Sequence, residues 1–249
     1  MTAARPYRRL SLVELHSALL GGLVVSCQPV DGGPLDDDAT VARLAQAAVA
    51  GGAAALRIEG ARRLAVVRAA VAVPIVGIVK RDLADSPVRI TPFVADVEAL
   101  VAAGADIVAV DVTARARPVS VAALFDAIRA GGAHAMADAS CEADALAAWA
   151  MGFPIVGTTL AGYTGGPVPD EPDLALVTRL AQAGCRVMAE GRYDTPARAA
   201  AAVRAGAWAV TVGSALTRLE VTTGWFALAL TNVQIRENEH IGTDSGKEV

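Results

Sequence analysis

A (β/α)8 (TIM) barrel is the fold class the sequence predicts, as one domain over residues 1–235 that opens with a short N-terminal helix and is followed by a polar tail over 236–249. Three observations predict it. Eight apolar runs of strand length alternate with alanine-rich helical stretches. A small-Gly-small turn recurs between the two kinds of segment. The chain has 249 residues, the length that eight β/α units need.

The first element is "SLVELHSALL", whose apolar spacing, broken by Glu14 and His16, reads as an amphipathic helix. The eight strands follow as "LVVSCQ" (23–28), "AALRI" (54–58), "PIVGIVK" (74–80), "DIVAVDVT" (106–113), "AHAMADA" (133–139), "IVGTTL" (155–160), "CRVMAEG" (185–191) and "AVTVGSA" (209–215). Near-continuous apolar runs suit parallel strands covered on both faces. Gly52, Gly104, Gly132, Gly152, Gly184 and Gly206 each stand where an alanine-rich stretch gives way to a strand, and glycine is the residue that ends a helix in the left-handed conformation without a steric cost. Pro92, Pro118, Pro172 and Pro196 stand where helices begin. No hairpin signal competes.

Composition narrows the function. Hydrophobic residues make up 54% of the chain and aromatics only 4%, so small aliphatics fill the core. The net charge of −4 comes from interspersed signs, which excludes a basic stripe for nucleic acid. The longest uncharged run, Ala145 to Pro169, is broken by Gly152, Pro154 and further polar residues, so no transmembrane span is predicted. Val24-Val25-Ser26-Cys27 resembles a lipoprotein cleavage box behind Arg8 and Arg9, but cleavage there removes most of the first strand, and a cytoplasmic protein is the expectation. Cys27, Cys141 and Cys185 lie far apart without metal-ligand spacing, so they read as reduced small hydrophobes and no cysteine metal site is expected.

In such a barrel the chemistry sits at the C-terminal ends of the strands. Those ends carry Gln28, Arg57, Lys80, Asp111, Asp138, Thr158-Thr159, Glu190 and Gly213-Ser214. Unpaired charges converging on one mouth cost stability, so a cluster of this size points to function. Alternation along a strand puts Val76, Ile78 and Lys80 on one face, and Met188 and Glu190 on another. With Ile78 and Met188 inside, Lys80 and Glu190 face each other across the mouth, four strands apart in a ring of eight. Opposed acid and base groups suit inversion at a carbon acid. The turns "AEGRYDTP" and "VGSALTR", with Arg192 and Arg218 nearby, suit a phosphate held by backbone N–H groups after the seventh and eighth strands.

A family is visible in these motifs. In order along the chain stand "VSCQ" (25–28), "GIVKRD" (77–82), "ITP" (90–92), "DVTARARP" (111–118), "MADAS" (136–140), "GTTLAGYT" (157–164), "PD" (169–170), "AEGR" (189–192) and "VGSALTR" (212–218). The chain resembles the N-acetylmannosamine-6-phosphate 2-epimerases of sialic-acid and amino-sugar catabolism. The resemblance implies a barrel that interconverts N-acetylmannosamine 6-phosphate and N-acetylglucosamine 6-phosphate, acting on a small-molecule sugar phosphate without metal or redox cofactor. It implies Lys80 as the proton-transferring lysine and Glu190 as its assisting carboxylate. Gln28, Arg57 and Asp138 become contacts to the sugar and its N-acetyl group, with Asp111, Thr158 and Tyr163 completing the substrate-binding set. Gly191, Arg192, Gly213, Ser214 and Arg218 become the phosphate end. Leu83, Arg89, Ala161 and Leu219 depart from the family's usual residues, and none of them is a proposed acid or base.

Two chemistries and one non-chemical role fit these residues. Proton removal and return at C2 uses Lys80, with Glu190 as second base or as proton carrier among the substrate oxygens. A Schiff base on Lys80, as in an aldolase acting on a phosphorylated sugar, is the alternative. A degenerate barrel that only binds a sugar phosphate is the third. His16 and His134 read as a helix-surface and a turn residue, and Trp149, Trp208 and Trp225 as packing. Val221 to Ile235 is apolar on one side and suits either a second subunit, which makes a homodimer, or the barrel's own flank.

Overall fold

The computed structural model describes residues 8–244, with side chains through Val233. Eight parallel strands close into a barrel in chain order: β1 (Gly22–Ser26), β2 (Ala55–Glu59), β3 (Ile75–Ile78), β4 (Ile107–Asp111), β5 (His134–Asp138), β6 (Ile155–Gly157), β7 (Val187–Glu190) and β8 (Ala209–Val212). The ring is completed by β1 against β8, with Gly22 opposite Ala209 and Val25 opposite Val212. Strand β2 runs one residue past its predicted end to Glu59, whereas the other seven predicted strands overrun the observed ones at their C-terminal ends. There the apolar pattern continues while the backbone leaves the ladder to build the mouth.

Helix α1 (Leu12–Leu19) precedes the barrel. The outer ring is α2 (Asp38–Ala50), α3 (Ala61–Ala70), α4 (Val94–Ala102), α5 (Val121–Ala130), α6 (Glu142–Met151), α7 (Leu174–Gln182) and α8 (Pro196–Arg204), and after β8 come α9 (Ser214–Thr217) and α10 (Leu219–Asp244). Side-chain oxygens start four of the ring helices: Asp37, Ser120, Asp173 and Thr195 accept from backbone N–H groups in the first turns of α2, α5, α7 and α8. Pro196 is the first residue of α8, where its missing N–H costs nothing. The turn glycines behave as their spacing predicts; Gly206 has φ +100°, and a Cβ there would lie 2.7 Å from that of Ala181.

Alternation divides the apolar residues into two layers. Val25, Leu56, Val108, Val110, Val156 and Val210 face outward onto the helices. Val24, Ala55, Val76, Ile78, Ala109, Met136, Met188 and Ala209 fill the barrel. Helix α1 closes the barrel's N-terminal end: Leu15 and Leu19 are fully buried against this inner set. A capping box between Ser11 and Glu14 fixes its start. His16 is no free surface residue, since it stacks on Trp208 at 6.0 Å. His134 opens β5 rather than sitting in a turn, and its Nε2 meets the Leu10 carbonyl at 2.8 Å, pinning the entry to α1.

Helix α10 runs past the predicted start of the polar tail at residue 236 to Asp244; residues 245–249 lie outside the described residues. It packs on α9. Its Phe226, Leu228, Leu230 and Val233 are exposed, so this stretch does not cover the barrel's own flank; Trp225 is no packing residue either, since it is partly exposed and lines the cavity at the C-terminal end of the barrel. No helix among the described residues is long and apolar enough to cross a membrane.

Candidate active site

The C-terminal end of the barrel opens into a cavity of about 550 Å³. Lys80 and Glu190 both line it, as do Gln28 and Tyr163. Gly191, Arg192, Gly213, Ser214 and Arg218 form its other wall. Nine of the thirteen residues singled out in the sequence thus meet in one place.

Lys80 stands two residues beyond β3, held by backbone contacts. Its N–H donates to Glu59 at 3.3 Å, and it forms an isolated antiparallel bridge with Ile90. Its side chain makes no ion pair within 4.0 Å among the described residues. Burial lowers the amine's pKa from the ordinary 10.5, and the nearby Arg218 and Arg57 push the same way, while Asp31 and Glu59 oppose. The shift is toward the neutral amine, the form able to take a proton.

Glu190 is the last residue of β7. Burial raises its carboxyl above the ordinary 4.5 and Asp138 adds to this, against Arg57, Thr159 and Lys80. Below it lies a buried pair: Arg57 donates to Asp138 at 2.6 Å, and its other terminal nitrogen lies 3.3 Å from Glu190 Oε2. Burial disfavours the Arg57 charge, yet the two carboxylates outweigh it and hold the guanidinium ionised. Arg57 and Asp138 therefore underlie the cavity and fix Glu190 from beneath; neither is among the residues of the cavity wall.

Two predicted contacts fall elsewhere. Asp111 is tied to Arg115 at 2.6 Å and to Arg117 at 3.3 Å, and accepts from Thr113, so local partners absorb its carboxylate. Thr158 points outward, exchanging hydrogen bonds with the Glu190 backbone at 2.9 and 3.0 Å. The inward hydroxyl is Thr159, which donates to Asp138 Oδ1 at 2.6 Å and lies 3.3 Å from Glu190 Oε2. Gly157 makes room for this: a Cβ there would approach the Met136 methyl at 2.5 Å and Thr159 and Asp138 at 3.0 and 3.1 Å. Alternation from Ile155 onward was the signal that could have found Thr159.

Arg192 lines the cavity, but its side chain serves the β6–α7 loop. It donates to the carbonyls of Glu171 and Ala161, each at 2.8 Å, and its guanidinium lies 5.2 Å from the centre of the Tyr163 ring. Its backbone takes φ +64°, beside Gly191 at +107°. Arg218 donates to the Gln28 carbonyl at 2.9 Å and so ties the turn after β8 to the end of β1. Ser26, Tyr193 and Thr211 also line the cavity and were not foreseen. No three His, Cys, Asp or Glu side chains gather as metal ligands among the described residues.

Comparison with known proteins now places the chain. A family model described as "Putative N-acetylmannosamine-6-phosphate epimerase" matches residues 41–232. The chain belongs to this family. A Klebsiella pneumoniae (strain 342) relative named "Putative N-acetylmannosamine-6-phosphate 2-epimerase" is 61% identical over 92% of this chain and 98% of its own. One of the same name from Yersinia pestis (strain Pestoides F) is 59% identical over 88% and 94%. Among solved structures, an N-acetylmannosamine-6-phosphate 2-epimerase from Clostridium perfringens superposes with a TM-score of 0.84 at 34% identity, covering 90% of this chain and 99% of that one. A thiamine phosphate pyrophosphorylase from Pyrococcus furiosus, at 16% identity and TM-score 0.55, shares the fold. Lys80, Glu190 and the turns after β7 and β8 lie within the matched span, whereas Gln28 precedes it.

Proposed function

We propose that the protein is a cofactor-independent isomerase that interconverts N-acetylmannosamine 6-phosphate and N-acetylglucosamine 6-phosphate, serving amino-sugar and sialic-acid catabolism. The observation that carries this is Lys80 after β3 and Glu190 at the end of β7, four strands apart in the closed ring, lining one cavity together with the glycine-containing turns after β7 and β8. In the open-chain sugar the C2 proton is acidified by the C1 aldehyde. The neutral Lys80 amine removes it, and an enolate forms, with the charge on the C1 oxygen and the acetamido group on C2. Glu190, whose carboxyl burial pushes above the ordinary carboxylate range, returns a proton from the other face or moves one among the substrate oxygens. Backbone N–H groups at Gly191, Gly213 and Ser214, with Arg218, hold the phosphate. Arg57, Asp138 and Thr159 set the position and charge of Glu190. Opposition of Lys80 by a carboxylic acid favours this reading over a Schiff base, and borohydride with substrate is expected to leave no adduct.

Proton NMR of the wild type with N-acetylmannosamine 6-phosphate tests the reading: the 2-epimer is expected to accumulate, with deuterium entering C2 in D2O. Absence of both overturns it.

The apolar exposure of α10 supports a homodimer. Phe226, Leu228 and Leu230 are 74, 62 and 68% exposed, and an isolated helix is marginal in water without a packing partner. A second copy presents the same apolar helix and so offers a matching surface. Sedimentation is expected to give a dimer that F226E with L230E converts to monomer; a monomeric wild type at micromolar concentration overturns it. A cytoplasmic setting agrees with three unpaired cysteines, of which Cys27 and Cys185 are buried.

A further inference from the structure

We propose that Thr211 is a specificity-determining residue whose hydroxyl binds a hydroxyl on the substrate's carbon chain, between the reacting carbon and the phosphate; this rests on the sugar-phosphate reading above. Thr211 lies on the inward face of β8, the face on which Ala209 fills the barrel. It is in register with Glu190 on β7 and with Val24 on β1. Two residues further along the same face is Gly213, in the turn assigned to the phosphate. Thr211 therefore stands between the level of the proton-transferring carboxyl and the level of the phosphate. In an open-chain N-acetylhexosamine 6-phosphate that interval is filled by C3, C4 and C5, each bearing a hydroxyl.

The hydroxyl itself supplies the second argument. Thr211 is 2% exposed and lines the cavity, yet its Oγ1 has no hydrogen-bond partner among the described residues. The Tyr193 hydroxyl in the same cavity also lacks a partner among the described residues, whereas three other hydroxyls at this end of the barrel are engaged. Ser26 accepts from Gln28 at 2.6 Å, Thr217 donates to the Ser26 carbonyl at 2.7 Å, and Thr159 donates to Asp138 at 2.6 Å. A buried hydroxyl without a partner destabilises a fold, and valine has nearly the same shape and stands at 210 and 212 on the same strand. A sugar hydroxyl, both donor and acceptor, is the ligand group that satisfies it. A site that hydrogen-bonds a substrate hydroxyl discriminates against analogues lacking it, because the protein group is then left unpaired.

The test is T211V, with T211S beside it, on N-acetylmannosamine 6-phosphate and its 3-, 4- and 5-deoxy analogues. T211V is expected to lower kcat/KM on the parent substrate about tenfold, and T211S to stay within about threefold of wild type. On one deoxy analogue the gap between wild type and T211V is expected to close. Without substrate, T211V is expected to melt at or above the wild-type temperature. Wild-type kcat/KM in T211V overturns the proposal. So does an undiminished gap on all three analogues, or a lowered T211V kcat/KM accompanied by a shifted pH profile, which assigns Thr211 to Glu190 instead. A wild type inactive on the parent sugar phosphate removes the functional reading itself, an outcome seen before any variant is measured.

Discussion

The two ends of the barrel are both rich in polar side chains, and they use them differently. At the N-terminal floor, charged groups end on backbone. Arg9 donates to the carbonyls of Ala105, Gly131 and Val101 at 2.9–3.1 Å. Arg68 reaches the carbonyls of Val71 and Val73 besides Asp106, which itself accepts from the Ile75 N–H. Arg186 holds the Pro154 carbonyl. At the mouth, Arg192 and Arg218 also end on carbonyls, but the charged side chains around the proton-transferring pair meet one another, as in Arg57, Asp138 and Glu190, or meet the cavity, as in Lys80. Backbone partners are permanent, so the floor is a closed structure. Side-chain partners titrate and move, so the mouth can do chemistry. Polarity alone therefore does not mark a site; what the polar atoms bond to does.

The largest effect that can break this contrast comes from Lys80. K80M removes the base and is expected to lower kcat/KM by roughly 10²–10⁴-fold and to abolish C2 exchange in D2O. The same change takes an unpaired amine out of a desolvated site, so the melting temperature is expected to hold or rise. Wild-type exchange in K80M, read by NMR, shows the lysine to be as structural as those arginines of the floor.

Asp138 comes next, because it belongs to both worlds. D138N keeps the shape but leaves Arg57 buried with half its compensation, at a cost of about 3–5 kcal/mol in stability measured by urea unfolding. Activity is expected to fall with it, since Glu190 loses the neighbour that raises its pKa. Intact activity in a folded D138N separates the buried pair from the chemistry.

The pH dependence sharpens the comparison further. The folded chain lowers Lys80 and raises Glu190. Lys80 therefore contributes stability above 10.5 that is lost as pH falls through its folded value, whereas Glu190 contributes stability below 4.5 that is lost as pH rises through its own. For catalysis by a neutral amine and a protonated carboxyl, kcat/KM is expected to follow a bell, the pair titrating jointly. E190Q is expected to cost about 10²-fold, to keep the rise with pH and to lose the alkaline fall. An unchanged bell in E190Q assigns the second limb elsewhere.

Much of this was legible in the sequence because the barrel repeats one local rule. Six helices stop on a small-residue turn that leads into a strand, and the strands read as near-continuous apolar runs, so the turns mark six of the eight strands and the apolar runs supply β1 and β3. Alternation then carried Lys80 and Glu190 into the cavity from Ile78 and Met188, two residues earlier. What stayed hidden depends on side-chain reach. The partners of Asp111 are Arg115 and Arg117, four and six residues on, and only the fold of that loop turns them back. Arg192 reads as a phosphate ligand, and the sequence does not reveal that its guanidinium donates to the carbonyls of Glu171 and Ala161. Thr158 and Thr159 are adjacent, yet alternation counted from Ile155 distinguishes them, placing Thr159 on the inward face.

The smallest expected effect tests the floor itself. Arg9 lies far in sequence from its three carbonyl acceptors and ties the segment before α1 to the N-terminal ends of the barrel strands. R9M keeps much of the aliphatic stem and deletes the donors, so about 1–3 kcal/mol of stability is expected to go, since partly buried carbonyls lose charged partners that water replaces in part. kcat/KM and the pH bell are expected to stay at wild-type values, because no atom of Arg9 approaches the cavity wall. A kinetic change in R9M with unaltered unfolding shows that the floor is coupled to the mouth, and that the two ends are not independent halves of one design.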